Sequence, residues 1–298
     1  MRLYILSAFV VGASLGTAGC VLQSVLRNPL AEPYILGLVG GGSLFVAAAI
    51  HFGLTAYSAL VLPVSSFCGS CFSLALVCMV ASFAARRRTE GSSAARLRSS
   101  GTTIILAGFV TASFTCSLQM LLLSYSEPAT MARVTQWMFG DVRDVRPAAL
   151  ACGAVTLAVV LAGLLHQAKL LNVLELGRDE AECLGIDTRR VKLVSLGLVS
   201  LATAIAVALA GPVGFVGLVV PNFVNRCFGG LHRRRILLSA FFGGLALVVA
   251  AIVGRMLPGD ISAGVVCALV GSPLFLYLLA VPPSHQPKSL SRICSAGV

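Results

Sequence analysis

The chain has 298 residues, 57% of them apolar and only 11% charged, with a mean hydropathy of +0.94. That balance excludes a water-soluble domain, because so few charged residues cannot furnish an aqueous surface. The formal net charge of +11 does not point to nucleic acid either, since basic residues flanking apolar spans follow from the positive-inside rule alone.

A spanning helix needs about 20 mainly apolar residues, and a charged side chain at its centre costs roughly 2.5–3.5 kcal/mol on the insertion scale. Gaps between charges therefore mark the spans, and the charges mark the loops. Read this way, residues 1–298 form a single all-α domain, a polytopic transmembrane helix bundle of about nine spans. The spans are expected at 3–26, 34–51, 57–84, 102–126, 147–168, 192–210, 212–228, 236–254 and 262–281. The first follows Arg2 and has the outline of a signal peptide, but its apolar stretch is too long and runs into a turn, so it is expected to remain as a mature span.

Pro29 and Pro33 are expected to stop that helix and turn the chain at the cytoplasmic surface, with Asn28 capping freed backbone groups. Gly12 and Gly16 stand four apart, as do Gly37 and Gly41, a spacing that lets helices pack backbone to backbone. The segment from Arg86 to Arg98 reads as a solvated loop. In the span 102–126, Thr111, Ser113, Thr115, Ser117 and Gln119 suit either a polar path or interhelical hydrogen bonds. Thr135 to Gly140 is amphipathic and holds the only tryptophan, Trp137, a composition that suits the lipid–water interface.

Residues 170–190 read as two short helices broken by Gly177 and Gly185. Glu175, Asp179, Glu180 and Glu182 precede Arg189, Arg190 and Lys192 there, and such a loop is suited to docking a partner protein. From Gly211 to Pro221, glycines at every third position and a proline near each end predict a short or interrupted helix. A bilayer tolerates that only where protein or a water-filled cavity satisfies the backbone. Residues 283–298 form a C-terminal tail.

Alternating the connections places Arg27, the Arg86–Arg98 cluster, Lys169 to Lys192, Arg226 to Arg235 and the tail with Lys288 and Arg292 on one face. That face holds most of the 22 Lys and Arg residues and is therefore assigned to the cytoplasm. Arg2, Arg133, Arg143, Arg146 and Arg255 fall outside, which puts the C-terminus inside and the N-terminus outside. Cys20, Cys78, Cys116, Cys152 and Cys267 lie within apolar runs as packing residues, and the one CxxC, Cys68 to Cys71, has no flanking charge to activate a thiol.

No GxxxxGK[ST], HExxH or GxSxG motif occurs, so no catalytic residue, metal or cofactor is expected on this chain. The four histidines, His51, His166, His232 and His285, are scattered. Ionisable residues at mid-membrane, the mark of ion-coupled transporters and channels, are not foreseen. A conduit of this kind is expected to draw its energy from a separate ATPase; a secondary transporter or channel that needs no ATPase is the alternative.

The segment Gly19 to Pro33 (GCVLQSVLRNPLAEP), with Ile35-Leu36-Gly37 after it, resembles the FecCD family of ABC permeases, which serve iron-siderophore, haem and cobalamin uptake. Leu174-Glu175-Leu176-Gly177, Ala181 and Leu184-Gly185 are similar to that family's cytoplasmic coupling segment, and Gly211 to Pro221 (GPVGFVGLVVP) to its most characteristic stretch. Gly264-Val265-Val266 and the run from Gly271 to Leu279 extend the resemblance over nearly the whole chain.

The resemblance implies a type II ABC-importer permease fold in the bacterial cytoplasmic (inner) membrane, carrying a siderophore, haem or cobalamin-type ligand. It implies a homodimer, or a heterodimer, around a central path. A partner ABC ATPase binding ATP and Mg would sit inside, and an extracytoplasmic substrate-binding protein would dock outside. The ATPase-coupling residues it implies are Glu175, Leu176, Gly177, Asp179, Glu180, Ala181, Leu184 and Gly185. Gln23, Asn28, Pro29, Gly211, Pro212, Gly214, Gly217 and Pro221 form the translocation motif, with Thr111, Ser113 and Thr115 as lining. Independently of the resemblance, Arg255 and Arg2 on the outer face suit either pairing with acidic residues of the binding protein or standing as lone solvated arginines.

Family members have about ten spans, so this chain is expected to start one helix late. Asn222 stands where the family commonly has histidine, Asn225 where arginine is frequent, and Ala251 where an acidic residue is common.

Overall fold

The computed structural model describes residues 1–280 apart from residues 35, 55, 56, 59, 88–92 and 144. The tail predicted at 283–298 and residues 88–92 lie outside the described residues; the loop expected from Arg86 to Arg98 is shorter than read, since one helix reaches Arg87 and the next begins at Ser93. The helices in order are α1 (Arg2–Leu26), α2 (Leu38–His51), α3 (Val61–Arg87), α4 (Ser93–Ser124), α5 (Pro128–Met138), α6 (Pro147–Leu176), α7 (Arg178–Cys183), α8 (Thr188–Ala210), α9 (Val216–Cys227), α10 (His232–Met256) and α11 (Ala263–Ala280).

Every predicted span contains one of these helices, and six of them, α1, α3, α4, α6, α8 and α10, are long and apolar enough to cross a bilayer. The others are shorter: α2 has 14 residues and α9 has 12. At 1.5 Å per residue these reach about 21 and 18 Å, short of a hydrocarbon core of about 30 Å. Each is preceded by non-helical chain, residues 27–34, 36 and 37 before α2 and 211–215 before α9. Pro29 and Pro33 in the first segment and Pro212 in the second lack the N–H that a helix requires.

Helix α1 is the central post. Of its most apolar window 83% is buried, against 28% for those of α3, α4 and α6, and it packs on α10, α8, α9 and α6. Its glycines explain why. A Cβ on Gly12 would overlap the carbonyl of Gly243 in α10, and one on Gly19 would overlap the carbonyl of Gly217 in α9. Lipid is as apolar as leucine, so helices associate here through close backbone contact rather than through exclusion of water. The outer half of α1, from Tyr4 to Leu15, enters one apolar cluster with α6, α8, α10 and α11; the inner half, from Ala18 to Leu26, enters a second with α6 and α8.

The acidic segment differs from expectation. Helix α6 runs unbroken through 30 residues to Leu176, because residues 170–176 contain no helix breaker. One six-residue helix, α7, follows rather than two. Gly185 then turns the chain at φ 75°, and Asp187 caps α8 by accepting the backbone N–H groups of Arg189 and Arg190 at 3.1 and 3.0 Å.

Helix α5 is also more than a surface anchor. Trp137 is half-buried, and the Trp137 carbonyl lies against Gly211, which has φ 73° and no room for a Cβ. The α5 end thus presses on the start of the non-helical segment 211–215.

If α1 is held by backbone contact with α9, Gly19→Ala is expected to lower the unfolding midpoint of the detergent-solubilised protein, at a cost of about 1–3 kcal/mol. Gly197 of α8 has nothing within 4 Å of a built Cβ, so Gly197→Ala is expected to leave the midpoint unchanged or raise it slightly. Equal effects of the two substitutions would contradict this packing.

Candidate functional site

The site begins with a defect. Pro221 lies inside α9 and has no N–H, so the carbonyl of Gly217 four residues earlier lacks its helical partner. Gln23 of α1 supplies the missing donor: its Nε2 reaches the carbonyls of Gly217 at 3.3 Å and Leu218 at 3.2 Å. Asn222 Nδ2 donates to the same Leu218 carbonyl and to that of Pro29, each at 2.8 Å. The broken helix is thereby joined to α1 and to the segment after it.

Helix α1 ends with Arg27 in the left-handed region, φ 50°; the N–H of Arg27 bonds the Ser24 carbonyl and that of Asn28 bonds the Gln23 carbonyl. Asn28 does not cap α1 as expected, since its Oδ1 accepts the N–H of Leu30 at 2.8 Å and starts the next turn. The turn does not stay at the surface. The chain re-enters along α1, so that Glu32 is only 6% exposed, with its Cγ 3.6 Å from where a Cβ on Gly217 of α9 would stand. The expectation of no ionisable residue inside the bundle is therefore corrected. Glu32 lies in a segment that reads as a surface turn from its prolines, yet it folds back into the interior.

At the inner end, Arg27 donates to the Leu174 carbonyl through Nε at 3.2 Å and through Nη2, satisfying one of the last carbonyls of α6. Glu175 meets Arg235 Nη2 of α10 at 2.7 Å and His232 Nε2 at 3.6 Å. Asn172 Oδ1 accepts the His232 backbone N–H at 2.9 Å, and Arg235 Nη1 donates to Asn225 Oδ1 of α9 at 3.4 Å. A cleft of about 420 Å³ opens among Gln23, Arg27, Pro29, Asn222, Asn225 and Arg235. The inner ends of α1, α6, α9 and α10 are thus bonded to one another. Such an array transmits displacement; among the described residues no group of three or more His, Cys, Asp or Glu is placed to hold a metal ion.

The coupling residues divide. Glu175 faces inward to Arg235, and Ala181 is fully buried, whereas Glu180, Leu184 and Gly185 are exposed. Gly177 carries Glu180 across it; the side chains of Leu176 and Asp179 lie outside the description. Of the translocation motif, Gln23, Asn28, Pro29, Gly217 and Pro221 meet at the α1–α9 junction. Gly211 and Pro212 lie against Trp137 and Gly140 of the α5 end, and Gly214 lies beside Tyr34.

Thr111 and Thr115 are 3% and 0% exposed and turn toward Gly37 and Gly40 at the start of α2. Of the three predicted lining residues only Ser113 is on a surface this chain leaves uncovered. One helix face carries 111 and 115 together, so both are buried when α2 packs there. At the outer end Arg255 stands over the Tyr4 ring at 5.7 Å and near Met1 Sδ at 3.6 Å, beside exposed Arg2. A second cleft of about 340 Å³, lined by Arg133, Gln136, Trp137, Asp141 and Arg146 among others, also opens at this end.

The sequence reading missed Glu32, Asn172, His232 and Arg235, and set Asn222 aside. One signal was available: a proline inside an apolar helix demands a donor from elsewhere. Nothing local identifies which distant side chain provides it.

A model described as the FecCD transport family matches residues 2–281. The chain is 34% identical over 270 residues to the cobalamin import system permease protein BtuC of Halobacterium salinarum, covering 90% of this chain and 69% of that one. It is 32% identical over 282 residues to the hemin transport system permease protein HmuU of Yersinia pestis, covering 92% and 80%. A solved structure of a candidate metal-chelate type ABC transporter in an inward-facing conformation superposes with a TM-score of 0.82 at 26% identity, covering 94% of this chain and 87% of that one.

If Gln23 replaces the N–H that Pro221 lacks, Gln23→Leu is expected to destabilise the folded protein by about 1–3 kcal/mol. In a Pro221→Ala background, where residue 221 carries its own N–H, that cost is expected to fall by about half or more. Denaturation midpoints of the four proteins in the cycle measure the coupling, and strict additivity would contradict the assignment.

Proposed function

This chain belongs to the FecCD transport family, a multi-pass permease of the cytoplasmic membrane, and we propose that it forms the pore of an ABC importer powered by a separate ATPase on α7 and its flanks. Its cargo class is an iron chelate, haem or a cobalamin. The single observation that carries this reading is α7, a short acidic helix slung between two spanning helices at the basic end of the bundle, with Glu180 and Leu184 exposed beside the open turn at Gly185. The chain holds no phosphate-binding loop of its own, so ATP and Mg²⁺ belong to the partner.

A push on α7 acts directly on the end of α6. From there Glu175 pulls on Arg235 of α10, and the Leu174 carbonyl pulls on Arg27 at the end of α1. Nucleotide-driven closure of the ATPase is thereby converted into rigid-body displacement of spanning helices. A second copy completes the path, with Ser113 on the uncovered face of α4. The substrate-binding protein docks at the outer end, where Arg255 lies against Met1 and Tyr4 and Arg2 is exposed, and these arginines attract its acidic side chains. The permease supplies the route and the ATPase the work; no residue here makes or breaks a covalent bond.

The test is a purified complex in proteoliposomes, offered ferrichrome, haem and cyanocobalamin in turn with the substrate-binding protein. Uptake of one of them is expected only with ATP, and accumulation without ATP overturns the reading. Gly185→Pro cannot adopt φ 75°, and Glu180→Lys reverses an exposed charge on α7. Each is expected to lower uptake by about tenfold or more while ATP hydrolysis continues. Unchanged uptake in both variants would remove α7 from the coupling role.

A further inference from the structure

Two loops at the outer end of the bundle are clasped together. Residues 139–143 follow α5, and residues 257–262 join α10 to α11. Arg143 connects them: its Nη1 donates to Asp260 Oδ2 at 2.8 Å and its Nη2 to the Asp260 carbonyl at 2.6 Å, while its Nε meets Asp141 Oδ2 at 3.0 Å. The planar fork of a guanidinium lets one side chain hold both loops at once. Asp260 presents its carboxylate and its carbonyl together from a left-handed turn, φ 52°, a conformation that aspartate tolerates better than most residues.

Beneath the clasp the backbones touch. The Gly264 N–H of α11 donates to the Gly140 carbonyl at 2.9 Å, and Ser262 Oγ donates to the Phe139 carbonyl at 3.0 Å. On its other side the loop meets the non-helical segment before α9: a Cβ on Gly140 would stand 2.6 Å from the Pro212 carbonyl and 3.2 Å from Gly264 Cα. Residues 139–143 are thus wedged between α11 and the start of segment 211–215. The far end of that segment also rests on α11, since a Cβ on Gly271 would overlap the Phe215 side chain. From Gly264 to Gly271 is about 10 Å along a helix, so the break before α9 lies beside α11 and is tied to it at both ends.

We propose that Arg143 is a positioning residue for transport: by clasping Asp260 it keeps the 139–143 loop wedged in place, so that α5, the break at 211–215 and α11 move as one piece when the path opens. A joint in a close-packed bundle works only if the parts on either side of it stay rigid. The pair is partly exposed, 32% for the Arg143 side chain and 54% for that of Asp260. It therefore adds little to folding stability, and its effect falls on the transport cycle. The inference rests on the permease reading, which the wild-type complex tests separately.

The experiment uses the reconstituted complex with ferrichrome, haem and cyanocobalamin as probes and the substrate-binding protein titrated from outside. Arg143→Gln is expected to lower maximal uptake per ATP hydrolysed by about fivefold or more. The unfolding midpoint of the purified protein is expected to stay within about 3 °C of wild type, and the half-saturating concentration of binding protein within about twofold. Asp260→Asn keeps the carbonyl acceptor and the left-handed turn, and is expected to lower uptake by about threefold. Because both substitutions act on one clasp, the double variant is expected to transport within about twofold of Arg143→Gln alone.

The proposal is overturned if Arg143→Gln transports like wild type, if excess binding protein restores its uptake, if the losses of the two single variants multiply in the double, or if uptake falls only in step with the midpoint. Should Arg143→Gln fail to assemble, Asp260→Asn decides on the same readouts, and failure of both to assemble makes the clasp structural and overturns the proposal. A wild-type complex that shows no ATP-dependent uptake of any probe overturns the permease reading instead.

Discussion

Inside a bilayer lipid offers nothing to pair with a backbone N–H or carbonyl, so every interruption of a helix has to be satisfied by protein or by a water-filled cavity. This chain interrupts its helices between α1 and α2, at residues 211–215 and at Pro221. The polar side chains buried at the centre answer those interruptions. Gln23 pairs with the Gly217 carbonyl that Pro221 leaves without a donor, and Asn222 joins Leu218 to Pro29. A bundle of unbroken helices would need none of them and would have no joint.

The joint needs a fixed frame, and α1 provides it. Glycine contacts with Gly243 of α10 and Gly217 of α9 bring backbones together at distances that exclude any side chain. Close-packed interiors move between discrete arrangements rather than deforming smoothly. The glycine seams therefore confine motion to the places where the helices are already broken.

The inner end joins this frame to the proposed ATPase contact. Arg235 is 9% exposed and paired with the more exposed Glu175, so removing Glu175 would leave a poorly solvated charge, and removing either partner would break the tie between α6 and α10. Glu175 ties the end of α6 to α10, while Glu180 and Leu184 are exposed on the next turns, so the proposed force-receiving and force-carrying residues stand close together in one segment.

Hydropathy located the spans, the basic face and the acidic segment near position 180, because lipid rejects charge and leaves that rejection visible along the chain. The glycine pair Gly12 and Gly16 was likewise legible as a packing seam, and the run from Gly211 to Pro221 as a broken helix. Tertiary structure alone decided that the segment after Pro29 folds back into the membrane, and that Thr111 and Thr115 pack against the start of α2. Only the fold revealed that Gln23 serves a carbonyl nearly two hundred residues away. Apolar burial and chain breaking are properties of a residue and its near neighbours, whereas a hydrogen-bond partner across the bundle is set by which helices come into contact, and no local pattern records that.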